Sequence, residues 1–351
     1  MATEAADKLA EEIKSVQKRV DSLQQAVRLA GLRDEVEDLD TKCEELRGRV
    51  KDLRARGYPF DKELESKAAG LERQWRALRR GILSKIDAEA RSLREDLPEV
   101  EQLASRLTGR TPSGKAAQTL VARVEREVDA LESKIGAAER SVKGTYDQLE
   151  SEVEVIASHI ARLNWVLDQV DEASFQLLPA EAVIMTVKAQ WERGGKDEPE
   201  GMLFLTDQRL VFEQREEVAT KKILFVTTEK KTIQELLLEV PVALIEEVIS
   251  SKKGLLGHED HLEVTFANDA PVTFAHFHID GQRSEDWKAL IGRAKAGEFD
   301  RDRAVKLDKD VVEKVRNAPT RCPVCNAPMT QKVLRGMDSI TCEYCGNVIR
   351  L

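Results

Sequence analysis

The chain has 351 residues, of which 34% are charged and only 5% aromatic, and its formal net charge is −9 at pH 7. That length predicts two or three domains, and that composition predicts long, surface-rich helices over much of the chain. The acidic balance excludes a polyanion binder acting through its whole surface, because neutralising phosphate needs clustered positive charge.

The first ten residues carry Glu4, Asp7 and Lys8 without the apolar core of a signal peptide, so the expected location is the cytoplasm. From Leu9, apolar residues recur at alternating steps of three and four through Ile13, Val16, Val20, Leu23 and Val27. This is the spacing of a helical seam. After a register break near Gly31 it resumes through Leu32, Val36, Leu39, Cys43, Leu46, Val50 and Leu53. Cys43 reads as a small buried hydrophobe rather than a reactive thiol. Gly57-Tyr58-Pro59-Phe60 stops the helix, and Asp61 can cap the next.

The second seam runs through Leu64, Ala68, Leu71, Trp75, Leu78 and Ile82, and on past Pro98 to Leu107. Gly109-Arg110-Thr111-Pro112-Ser113-Gly114-Lys115 then matches G-x-x-x-x-G-K. Ala116 stands where the magnesium-binding hydroxyl belongs, and a helical pattern precedes the motif instead of a buried strand, so it reads as an interhelical loop. The third seam carries Val124, Val128, Leu131, Ile135, Ala138 and Val142, slips near Tyr146, and continues through Leu149, Val153, Ile160 and Leu167. Residues 1–175 thus read as three long helices in an antiparallel helical or coiled-coil rod. Periodicity leaves open whether the seams meet within one chain or in a homo-oligomer.

Beyond Leu177 the period changes to two, with β-branched and aromatic enrichment. Expected strands are 183–191, 202–205, 209–214, 222–227, 237–240, 262–266 and 272–279, with a tight turn at Asn268-Asp269-Ala270. The longest apolar run, 240–249, is interrupted by Glu246 and Glu247 and is too short to span a bilayer. Trp287, Leu290, Ile291 and Ala294 fall at helix spacing.

The segment Leu205-Thr206-Asp207-Gln208-Arg209-Leu210-Val211-Phe212, with Val240-Pro241 leading into Ile245 and the late Trp287 helix, resembles the GRAM and bacterial PH-like families. The resemblance implies a non-enzymatic seven-stranded PH-like β-sandwich with a capping helix over 176–298, docking on lipid head groups or on proteins. Lys221, Lys222, Lys230, Lys231, Lys252 and Lys253 are paired cations near expected strand ends. Leu255 and Leu256 follow the last pair as an apolar tip. Lys252, Lys253, Leu255 and Leu256 are therefore candidate docking residues for a partner or an anionic membrane. His258 and His261 are spaced by three, which is not the spacing of a zinc-protease helix. His276 and His278 share a strand face and could join a metal site, but are read as having no carboxylate or cysteine to accompany them and so as packed or half-exposed residues; His159 is a surface or seam residue of the third helix.

Residues 299–319 read as a charged linker with a short helix. Cys322-Pro323-Val324-Cys325 and Cys342-Glu343-Tyr344-Cys345 follow, a spacing at which two turns aim four thiolates at one ion. Asn326 and Gly346 stand after each pair, where a left-handed backbone is expected. Residues 320–351 accordingly resemble a zinc ribbon holding one structural zinc through Cys322, Cys325, Cys342 and Cys345, with short strands at 332–334, 340–341 and 348–349. Arg321, Lys332, Arg335 and Arg350 make it basic.

The fold class is thus α+β and multidomain, and the expected role is a non-enzymatic scaffold or adaptor with protein partners. A nucleic-acid-associated factor using the ribbon is the alternative. The chain is expected to show no ATP or GTP affinity that Lys115→Ala abolishes; equilibrium binding measures this directly.

Overall fold

A heptad-spaced seam buries one stripe of each helix and leaves its charges in water, so such helices must pair. The computed structural model, which describes residues 2–109, 115–195, 198–223, 226–254 and 257–351, divides into two compact units, 1–50 with 65–158 and 51–64 with 159–351. No helix among the described residues is long and apolar enough to cross a membrane.

The helices are α1 (Ala2–Ala26), α2 (Ala30–Ala55), α3 (Leu64–Gly109), α4 (Lys115–Lys143) and α5 (Asp147–Asp171); α1, α4, the greater part of α2 and α3 and the first half of α5 make the first unit, and the ends of α2 and α5 belong to the second. The slips expected near Gly31 and Tyr146 are real breaks: Val27–Leu29 and Gly144–Tyr146 are turns. Arg33 pairs with Asp87 and Asp40 accepts from Trp75 Nε1 at 2.6 Å, so α2 and α3 are antiparallel. Lys134 meets Asp96 at 2.7 Å and Lys85 the Ser141 carbonyl at 2.6 Å, so α3 and α4 are antiparallel too. Arg19 on α1 bridges Asp129 and Glu132 of α4. The seams therefore meet within one chain.

Val36, Cys43, Leu46, Trp75, Ile86, Val124, Val128 and Val153 are all buried. Burial pushes the Cys43 thiol up to about 11, which keeps it protonated and inert. Leu78 departs from the expected seam and is 41% exposed. The turn at Gly144–Tyr146 lies beside it where a continuous helix would have covered it. Residues 110–114 of the G-x-x-x-x-G-K segment lie outside the described residues. It is the helix α3, running to Gly109, that precedes them.

In the second unit, Arg54 donates to the carbonyls of Tyr58, Phe60 and Asp61 and shapes the turn that ends α2. His159 on α5 lies 2.7 Å from the Asp61 carboxylate. A seven-stranded antiparallel sheet follows: β1 (Val183–Trp191), β2 (Glu200–Thr206), β3 (Arg209–Ile223), β4 (Val226–Pro241), β5 (Ile245–Lys253), β6 (Glu259–Phe266) and β7 (Phe274–Asp280). The strand order is β4-β3-β2-β1-β7-β6-β5. Register pairs such as Leu203↔Phe212, Leu210↔Val240 and Leu262↔Phe277 place buried side chains side by side. The helix α6 (Ser284–Lys295) buries Trp287, Ile291 and Ala294 against β5, β6 and the 3-10 turn Val242–Leu244. Asp260 on β6 accepts from the Ser284 N–H at 2.8 Å and caps the start of α6.

Two strand expectations are corrected. The strand expected at 222–227 straddles a hairpin: Ile223 closes β3 and Val226 opens β4. Leu224 and Phe225 lie outside the described residues. β5 was not expected as a strand, because Glu246, Glu247, Ser250 and Ser251 break its apolar pattern. As an edge strand it needs few buried side chains.

Glu213 on β3 is fully buried and ties the end of the helical segment to the sheet: its carboxylate accepts from the Ser174 N–H at 2.6 Å and pairs with Arg215 at 2.6 Å. Burial alone would raise this carboxyl, but the Ser174 and Arg215 bonds prevail and hold it below the ordinary 4.5. Its stabilising contribution is present above that value and is lost as pH falls through the lower folded value. Glu213→Gln is expected to cost about 2 kcal/mol at neutral pH. The deficit relative to wild type should shrink as urea unfolding is repeated at acid pH.

Candidate metal centre

The bridge Arg321↔Pro328 closes one cysteine turn, and the hairpin of β8 (Ser339–Thr341) and β9 (Val348–Arg350) carries a matching second. In the first, the Asn326 N–H donates to the Cys322 carbonyl at 2.9 Å and the Cys322 N–H to Ala327 at 2.8 Å. In the second, Gly346 donates to Cys342 at 2.8 Å and Cys342 to Asn347 at 2.9 Å. Asn326 and Gly346 have φ of 60° and 72°, the left-handed backbone expected of them.

These turns bring all four sulfurs within 4.8 Å of one another. Cys322 and Cys345 sulfurs are 3.7 Å apart, and Cys325 and Cys342 3.6 Å. A disulfide needs about 2.05 Å. A tetrahedral ion with sulfur bonds of about 2.3 Å needs about 3.8 Å, so the four thiols fit a metal. The backbone N–H groups of Cys325 and Val324 favour a thiolate at Cys322, while at Cys345 the neighbouring thiols oppose one against the pull of the Asn347 N–H. Residues 332–334, expected as a strand, are irregular, and Leu334 instead donates its N–H to the Met337 sulfur at 3.3 Å.

The module is anchored on the sheet by the Thr206-Asp207-Gln208-Arg209 turn. Thr206 Oγ1 accepts from the N–H groups of Gln208 and Arg209 at 3.0 and 2.7 Å and donates to Glu181 at 2.6 Å. Arg209 meets both Glu181 oxygens, at 2.8 and 2.5 Å, in a buried pair. That pairing turns the neighbouring Asp207 outward toward the C-terminal segment, where Arg303 and Arg335 both close on its carboxylate. Burial pushes the Asp207 carboxyl above its usual range, and the two guanidinium groups oppose that rise. Gln208 donates to the Arg335 carbonyl at 3.1 Å and accepts its N–H. Gly336, at φ 86°, lies so close to Pro179 that a Cβ would stand 2.0 Å from the Pro179 oxygen.

The remaining candidate residues are dispersed. Lys252 and Lys253 end β5, where they pair with Asp260 at 2.7 Å and Glu263 at 2.9 Å. Leu255 and Leu256 lie outside the described residues. Lys221, Lys222, Lys230 and Lys231 belong to the β3–β4 hairpin. His276 and His278, read from sequence as lacking a carboxylate, lie near Glu192 and His261, with His276 Nδ1 2.8 Å from Glu192. No local spacing signals that meeting, since only strand pairing of β1 and β6 to β7 creates it.

No protein-family model and no curated protein matches the sequence. Among solved structures the chain is similar to the Vps36 N-terminal PH domain, at 18% identity over 35% of this chain and 85% of that one, with a TM-score of 0.24. It is similar also to the C-terminal domain of an unknown protein from Leishmania infantum, at 18% identity over 32% and 84%, TM-score 0.21. The linker-DH/PH domains of p115-RhoGEF match at 12% identity over 87% and 100%, TM-score 0.23.

Arg335→Ala removes one of the two guanidinium partners of a buried carboxylate, which costs about 3 kcal/mol. The expected result is faster tryptic release of the C-terminal module after Arg316 or Arg321, with the cysteine turns intact. Gly336→Ala should act in the same direction through its clash with Pro179.

Proposed function

We propose that the protein is a non-enzymatic cytoplasmic adaptor with four parts. Residues 1–175 form a helical spacer and 176–298 a PH-like docking domain of the GRAM type. Residues 299–319 form a charged connector, and 320–351 a zinc ribbon. The observation that carries this reading is the convergence of Cys322, Cys325, Cys342 and Cys345 at tetrahedral spacing. Four thiolates suit zinc and leave no coordination position for water or substrate, so the ion folds the segment rather than performing chemistry. The seven-stranded antiparallel meander closed by α6 supports the PH-like assignment.

Docking is assigned to the sheet and to the end of the β5–β6 hairpin, with a protein as the partner. Lys252 and Lys253 are each matched by a carboxylate, which leaves little net charge to draw them to an anionic membrane. The nucleic-acid alternative is weakened in the same way, since Arg335 is committed to Asp207 and Asp300 and Arg321 donates to the Asn326 carbonyl.

The full chain is expected to retain one zinc per protomer against a weak chelator. Cys325→Ser should lose it with little change in helical circular dichroism. Anionic vesicles should not sediment the chain at physiological salt. Sedimentation that Lys252→Glu with Lys253→Glu abolishes would transfer the docking role to a membrane surface.

A further inference from the structure

Three strands bring a second set of ligands together on one face of the sheet. His276 on β7 lies opposite Glu263 on β6, and His278 opposite His261. Glu192, the residue after β1, donates its N–H to the His276 carbonyl at 2.8 Å and so continues the same ladder. Glu192 Oε2 lies 2.8 Å from His276 Nδ1; accepting that N–H leaves the lone pair of His276 on Nε2. The lone pair stands 3.0 Å from Nδ1 of His261, which is itself 3.4 Å from Glu192 Oε1.

His261 is 3% exposed and its Nε2 is buried without a hydrogen-bond partner. Either neutral tautomer leaves a defect. With the proton on Nδ1, the buried Nε2 lone pair faces only the Glu259 carboxylate, at 3.6 Å. With the proton on Nε2, that N–H points to Glu259, and the lone pairs of His261 Nδ1 and His276 Nε2 face each other at 3.0 Å, with the Lys253 ammonium serving that of His276. A cation placed there removes the second defect. Both imidazoles would then follow the arrangement in which one nitrogen binds metal and the other donates to a carboxylate. Positive charge is already drawn to the spot: the Lys253 ammonium lies 3.2 Å from His276 Nε2, held by Glu263 at 2.9 Å.

We propose that Glu192, His261 and His276 form a binding site for a divalent transition metal ion, zinc(II) in the first instance, which displaces Lys253 and frees Glu263 as a further oxygen donor. One donor atom from each of the three residues lies within 4.8 Å of the others, and two imidazoles with carboxylate oxygen suit zinc. The site is separate from the four cysteines and is weaker, because the ion must compete with the ammonium of Lys253.

The test is metal uptake by the full chain, first freed of weakly held metal, using zinc and then cobalt(II) as probes. Wild type is expected to take up one equivalent beyond any held by thiolates, insensitive to thiol alkylation and giving a cobalt spectrum without sulfur charge-transfer bands. Affinity should fall by about 100-fold or more in His276→Ala and by about 10-fold or more in Glu192→Gln. Lys253→Ala should tighten binding, a gain that misfolding cannot produce. Wild type taking up no alkylation-resistant metal would overturn the proposal, as would uptake that survives His261→Ala with His276→Ala. Lys253→Ala leaving affinity unchanged or weaker would also overturn it. Alkylation resistance keeps this result independent of whether the cysteine turns hold zinc.

Discussion

The Asp207 carboxylate is almost completely withdrawn from water, and distant parts of the second unit converge on it. The Ala182 N–H approaches from the start of β1, Arg303 from beyond α6, and Arg335 from the cysteine-bearing module. A buried carboxylate is tolerated only when its charge is matched and its oxygens are bonded. The chain is therefore constrained to bring both arginines to this turn. Thr206 and Arg209 serve the same end, because their bonds to Glu181 fix the backbone that presents Asp207. The four-residue turn acts as the joint between sheet and C-terminal module.

The joint explains how a module of about thirty residues can hold a defined place. Its hairpin is too small to bury a core, and Cys322, Ile340 and Cys342 are its buried side chains among the described residues. The proposed metal would supply local folding energy, while Arg335 and Gly336 supply position. The polar groups of the module are thus divided between holding the fold and seating it on the sheet.

Much of this was legible in the sequence where the determinant is local. The paired C-x-x-C turns, the left-handed Asn326 and Gly346, the helix of Trp287 and the heptad seams each follow from spacing within a few residues. Leu78 escaped because its exposure depends on a turn in another helix. β5 escaped because an edge strand carries glutamates that a buried strand could not. The Thr206-Asp207-Gln208-Arg209 segment stands out in the sequence, but its partners Glu181, Arg303 and Arg335 are fixed only by tertiary structure. Glu192 and His261 beside His276 are a similar case, since alternation says which residues share a face and not which strands become neighbours.

One ion is proposed to gather the four cysteines into a structural module. X-ray absorption at the zinc edge, on full-length protein freed of weakly bound metal, reads this directly. The expected result is a single shell of four sulfurs at about 2.3 Å. A first shell with water or nitrogen in place of sulfur, or cysteines found as disulfides with no zinc retained, would contradict it.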